Sequence, residues 1–141
     1  MRRMMSRNTL TNAGLLVLRL GIGIIFIAHG LPKLMGGIES WTQLGSTMSI
    51  VGISFAPAFW GFMAAISEVL GGLFIILGLM HRLVALFLIF TMIIALLVHL
   101  TAGDPFTVYS NALKALVVFI ALLISGPGIY SLDYKYFRRI A

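Results

Sequence analysis

The sequence predicts an all-α polytopic membrane protein, a four-helix transmembrane bundle with both termini in the cytoplasm. Hydrophobic residues make up 60% of the 141 positions, charged residues only 10%, and the mean hydropathy is +1.08. A chain with so little charge does not have water as its solvent, and its apolar runs approach or exceed the roughly 18 residues of a spanning helix. The chain has no Cys, which excludes disulfides, CxxC relays, iron–sulfur clusters and thiolate zinc sites. Any redox chemistry must therefore be borrowed from a cofactor or a partner.

Four runs are read in one domain covering residues 1–141: 13–34, 57–80, 83–100 and 105–125. Each can cross roughly 30 Å of hydrocarbon at about 1.5 Å per residue. The first run is too long for a signal-peptide core and lacks a small-residue cleavage site, so the N-terminus is expected to stay. The second and third runs are linked by Met80-His81-Arg82, which predicts a tight antiparallel hairpin. Asp104-Pro105 reads as an N-cap followed by Pro at the first helical position, and Gly126-Pro127-Gly128 as the stop of the fourth helix. Residues 36–56, with Glu39, Trp41 and Gln43, are too polar to span and are expected to form an extramembrane loop capping one end.

The net charge of +6 would suggest nucleic acid in a soluble domain, but here the basic residues flank apolar runs. Arg2, Arg3, Arg7, Arg82, Lys135, Arg138 and Arg139 fall on one side if four helices alternate, with Lys33 near the other. The excess of positive charge puts both termini in the cytoplasm. Nucleic acid is excluded as a partner; the bilayer and a membrane or periplasmic protein are expected, and self-association stays open. Trp41, Phe55, Phe59 and Trp60 suit one aromatic belt, and Tyr130, Tyr134, Tyr136 and Phe137 the other. Ala64, Ser67, Gly71 and Gly72 form a small-residue face for close helix packing.

Ionisable residues inside the runs carry the functional expectation, because a charge near the bilayer centre costs at least about 2.5–3.5 kcal/mol and is seldom kept without a partner. Counting along the helices puts Glu68 about 16 Å and Lys114 about 14 Å from the same end, with Arg19 about 9 Å from the opposite one. An Arg19, Glu68, Lys114 cluster would hold a surplus positive charge suited to a quinone, a small anion or a lipid phosphate. An ion pair that only fixes helix register explains the same residues equally well.

His29 and Lys33 are four residues apart on one helix face, and His99 ends the third helix, so the three are expected to form an outer polar mouth. Two His at similar depth could bind a quinone carbonyl or ligate haem, but without a supporting spacing pattern the haem reading is weak. Each His alone is explained by an interfacial bond to backbone. No metal site is read.

The strings LRLGIGIIFIAHGLPKL, SEVLGGLFIILGLMHR and ISGPGIYSLD occur in that order over nearly the whole chain. Together they resemble the DoxX family of small bacterial inner-membrane proteins. The resemblance implies a four-helix bundle related to the small subunit of thiosulfate:quinone oxidoreductases, with other relatives anchoring oxidoreductase complexes. By position it implies family roles for Arg19, for His29, Gly30 and Lys33, for Glu68, and for the closing Gly126-Pro127-Gly128 and Ser131-Leu132-Asp133. The chain departs at the start of the fourth helix, where many members carry a Glu and this one has Ser110 or Asn111, with Lys114 a turn later.

The expected function is a membrane subunit of an oxidoreductase system that binds quinone or quinol in a polar pocket among the helices. Arg19 and Lys114 would stabilise the reduced quinone, Glu68 would relay protons, and His29, Lys33 and His99 would line the mouth. Whether it is itself an enzyme is undecided, because the sequence shows no electron carrier. The alternative is a non-catalytic assembly subunit anchoring a partner, and a small proton-coupled exporter ranks third.

Overall fold

The computed structural model describes residues 2–137, and among them every regular element is helical. The helices are α1 (Arg2–Met35), α2 (Gly37–Ser46), α3 (Pro57–Leu77), α4 (His81–Ala102), α5 (Phe106–Ser125) and the short α6 (Leu132–Tyr136). Four are long and apolar enough to cross a membrane, the first over Asn8–Met35. Their outer faces carry exposed Leu, Ile, Val and Phe, such as Val17, Ile24, Phe87, Val117 and Ile124, as expected of a bundle whose solvent is lipid. Arg138 and Arg139, counted above as topology signals, lie outside the described residues.

The long helices pack in the order α1, α3, α4, α5, and α5 closes back against α1 through Phe26 and Phe119, edge to face at 4.7 Å. Ile75, Ala85, Leu88 and Leu122 complete the core around that pair. The α1–α3 seam is narrow because Gly23 and Gly72 face one another: a Cβ on Gly72 would lie 2.7 Å from the Gly23 carbonyl oxygen. Gly71, from the small-residue face read in the sequence, receives Leu88 of α4. Without lipid-excluding side chains in the way, backbones approach and dispersion contacts accumulate.

Several boundaries differ from the sequence reading. Helix α1 starts much earlier than residue 13. The α3–α4 link is Gly78-Leu79-Met80, not Met80-His81-Arg82, with Gly78 at φ +63° ending α3 and Met80 at φ +46° preceding α4. The N-cap of α5 is Pro105, and Asp104 instead accepts from His99 Nδ1 at 2.7 Å. Gly126 does stop α5, at φ +74°.

The largest correction is at residues 36–56. In place of a loop, α1 breaks at Gly36 and Gly37, and α2 then packs on the first turns of α3, followed by a 3-10 turn over Thr47–Val51. Gly45 sits on the Pro57 carbonyl and Gly61 on the Trp41 carbonyl so closely that a Cβ at either position would overlap backbone. Trp41 lies edge-on to Phe62 at 4.9 Å. Phe55 and Phe59 both meet Trp60, so that expected aromatic belt is a local cluster.

Candidate functional site

Helix α1 ends within reach of the middle of α3, which brings Lys33 to Glu68. Lys33 Nζ donates to Glu68 Oε1 at 2.7 Å and Oε2 at 2.8 Å. The Glu68 side chain is 5% exposed and that of Lys33 38%, so the pair joins a buried carboxylate to a cation at the bundle surface. Gly30 makes this possible, since a Cβ there would stand 2.7 Å from Glu68 Cβ. The break after α1 would strand its last carbonyls, and Trp41 Nε1 of α2 takes two of them, Lys33 O at 3.1 Å and Leu34 O at 3.2 Å. Helix α2 thus holds the turn from which Lys33 projects.

An ammonium carries three N–H donors. Two are engaged by Glu68, which leaves one directed away from the carboxylate. A ligand oxygen reaching Lys33 from the lipid side could take that donor, while Glu68 offers an acceptor behind it.

The expected cluster of Arg19, Glu68 and Lys114 is not formed. Arg19 is wholly buried at the opposite end, donating from Nη1 to Pro127 O at 2.6 Å and from Nη2 to Tyr130 O at 2.5 Å. Lys114 is exposed on α5, and among the described contacts it has no hydrogen bond or ion pair. Counting depth from residue 13 takes that residue as level with the end of the neighbouring helices, whereas Arg19 itself sits beside Gly78 at the end of α3. With Arg19 level with the end of α3 at Gly78, Gly30 lies about 16 Å further on, at the height of Glu68 about 15 Å from Gly78, and Lys33, one turn beyond, reaches it with its side chain.

The mouth expected from His29, Lys33 and His99 also divides: His29 is exposed, Lys33 bonds Glu68, and His99 bonds Asp104. Two concavities lie at the Arg19 end. One of about 350 Å³ is lined by Met80, His81, Arg82, Leu83, Asp133 and Phe137. The other, about 700 Å³, runs along Ile76, Ile129, Tyr130 and Leu132. Neither is lined by Lys33 or Glu68, and of that pair it is Lys33 that reaches the bundle surface.

Around Arg19 the closing motif is tied into a knot. Asp133 accepts from the amides of Met80 and His81, both at 2.8 Å, and its own amide donates to Gly78 O at 2.9 Å. Ser131 Oγ donates to Gly128 O and accepts from the Tyr134 amide. His81 is wholly buried, with Nε2 3.3 Å from Leu122 O. The sequence reading overlooked this network, although α4 starting without a local Ser, Thr, Asp or Asn was a sign that its amides need a remote cap.

A sequence model of the DoxX family matches residues 14–101, more than half of the chain. The chain belongs to the DoxX family. The matched stretch holds Arg19, His29, Lys33, Glu68 and His99, and leaves Lys114 and the closing motif beyond its end. Among DoxX-type relatives, inner membrane protein YqjF of Escherichia coli strain K12 is 34% identical over 127 residues, covering 88% of this chain and 92% of that protein. Inner membrane protein YphA of the same strain is 29% identical over 132 residues, covering 86% and 89%. The protein named "Putative oxidoreductase CatD" of Bacillus subtilis strain 168 is 33% identical over 129 residues, covering 89% and 88%. No solved structure matches the chain. Four apolar spans and inner-membrane relatives make this DoxX member a multi-pass protein of the bacterial inner membrane.

Proposed function

We infer that this DoxX protein is a membrane subunit of an oxidoreductase system, and that its Lys33–Glu68 pair receives the head group of a quinone or quinol arriving from the lipid. The observation that carries the reading is a carboxylate buried in mid-membrane, held by one lysine that itself reaches the surface. The relative named "Putative oxidoreductase CatD" points to the same class. The residues fit such a ligand: Lys33 retains a donor for a carbonyl oxygen, and Glu68 accepts a proton from a hydroxyl. When bound, the quinone supplies the two-electron couple that the chain lacks.

Lys33 orients the head group and offsets negative charge on its oxygen. Glu68 takes or returns the proton: ionised, its charge is balanced by Lys33, and protonated, it leaves the Lys33 cation free to face the head-group oxygen. His29, one turn earlier on the same exposed flank, gives a second polar contact. The charge-stabilising role expected of Arg19 and Lys114 thus falls to Lys33, and electrons pass to a separate redox partner.

Trp41 reports on the site because its indole bonds the carbonyls of Lys33 and Leu34. In liposomes containing the Trp60→Phe protein, a short-chain ubiquinone should quench Trp41 saturably, and Lys33→Met should weaken that affinity about tenfold, a loss equal to one good polar contact. Linear quenching, identical in both proteins, would overturn the reading.

The second reading, an assembly subunit whose ion pair only braces the bundle, draws on the contact of Gly30 with Glu68, which places the pair in the tight α1–α3 seam. It expects linear quenching together with a fall in stability on breaking the pair.

A further inference from the structure

Helix α5 carries a polar stripe that faces away from its own bundle. Thr107, Asn111 and Lys114 follow one another at spacings of four and three, which places them on one helix face, and all three are exposed. The same face continues through the half-buried Val118 and the exposed Ala121 and Ser125, while the apolar Val117, Ile120 and Ile124 look toward a different side. Lys114 sits about 12 Å from the Phe106 end and about 16 Å from the Ser125 end, near the middle of the span. Among the described residues its cation is unmatched: Glu68 is paired with Lys33, Asp104 with His99, Asp133 with the amides of Met80 and His81, and Glu39 is exposed in the first turn of α2.

A lysine at mid-span costs dearly against lipid, and such residues ordinarily face protein or water and pair with an opposite charge. Asn111, one turn nearer the end, repeats the problem for a neutral amide. Small residues further along remove the steric obstacle to a second backbone.

We propose that the Thr107, Asn111 and Lys114 face of α5 is the docking surface for a membrane-spanning helix of a partner protein that carries a carboxylate at the depth of Lys114. Charge complementarity selects the partner: an acidic side chain gains an ion pair where an apolar one would leave the ammonium in hydrocarbon. The Asn111 amide offers the incoming helix a second, neutral hydrogen bond and fixes its register. The proposal names the contact through which the redox partner inferred above would be held, and rests on that reading only for the partner being a redox protein.

The contact is testable without redox chemistry. The protein, carrying a fluorescent donor on its N-terminal end, is placed in phosphatidylcholine liposomes with a Leu–Ala transmembrane peptide bearing one central Glu and an acceptor dye. Energy transfer should show the Glu peptide binding about tenfold more tightly than its Gln counterpart, the scale of one interhelical polar contact. Lys114→Leu should abolish the preference and Lys114→Arg should keep it. In the Trp60→Phe background the Trp41 emission maximum should be the same in all three proteins, which shows each is folded whether or not quinone binds and so separates failure of this proposal from failure of the quinone reading. Equal binding of the Glu and Gln peptides would overturn the proposal. So would energy transfer between two copies of the protein that is lost in Lys114→Leu, because a second copy would then occupy the face.

Discussion

Asp133 accepts the amide proton of His81 at 2.8 Å from fifty-two residues away in sequence, and its other oxygen takes the amide of Met80 at the same distance. Helix α4 therefore begins under a carboxylate delivered by the far end of the chain. The first amides of a helix lack intrahelical partners and carry the positive end of its dipole, so an anion there is doubly favoured. Asp133→Ala should cost about 1–2 kcal/mol, the upper range for loss of a cap, and Asp133→Asn less. Unfolding in mixed micelles with increasing dodecyl sulfate would measure both, and equal stability of Asp133→Ala and the parent would show that the cap contributes nothing.

Arg19 secures the same knot from the α1 side. Its planar fork spans the carbonyls of Pro127 and Tyr130 at once, and Gly78 leaves the space it occupies: a Cβ at that position would meet both its guanidinium and Ser131. A lysine has one nitrogen and cannot hold two carbonyls in the same way. Arg19→Lys should thus destabilise by about 1–3 kcal/mol, the cost of a buried acceptor left unmet, and should raise amide exchange in the Gly126 to Asp133 segment. Unchanged exchange there would refute the assignment.

Much of this architecture was legible in the residues. Pro57 and Gly126 marked helix ends because each removes or redirects a backbone bond, and the apolar runs located all four spans. Residues 36–56 are polar on average, which suggests a loop, but their period is helical. Trp41, Leu44, Gly45 and Met48 recur every three to four residues and face inward at half-buried or buried positions, the pattern of an amphipathic helix. The partner of Glu68 is hidden in the sequence for a different reason. Depth counted from the first apolar residue assumes that α1 enters the membrane there, whereas Arg19 fixes its height through carbonyls beyond the end of α5. No local pattern encodes a contact between residues 108 and 111 positions apart.

The α2–α3 contact rests on two glycines. Gly61→Ala would push a methyl group into the Trp41 carbonyl, so α2 must shift away from α3 and loosen the indole from Lys33 and Leu34. Overpacking of this kind costs about 1–3 kcal/mol. A red shift in Trp41 emission, measured in the Trp60→Phe background, should accompany the loss of stability. Emission identical to the parent would mean that α2 does not govern the Trp41 environment.

The Lys33–Glu68 pair separates stability from function. Lys33→Met alone strands a carboxylate that is 5% exposed, and breaking a buried pair this way costs about 3–5 kcal/mol unless Glu68 takes up a proton. Replacing both partners, as Lys33→Met with Glu68→Leu, removes the stranded charge and fills similar volume, so the double variant should regain most of the stability lost by the single one. A bracing role would be largely restored by that exchange, since apolar packing can hold α1 against α3. Proton transfer and a hydrogen bond to a quinone oxygen would not be, because neither methionine nor leucine supplies a donor or a titrating group. The double variant should therefore unfold near the parent in dodecyl sulfate and yet show only linear quenching of Trp41 by ubiquinone. Saturable quenching at parental affinity in that variant would remove the pair from the binding site and leave bracing as its role.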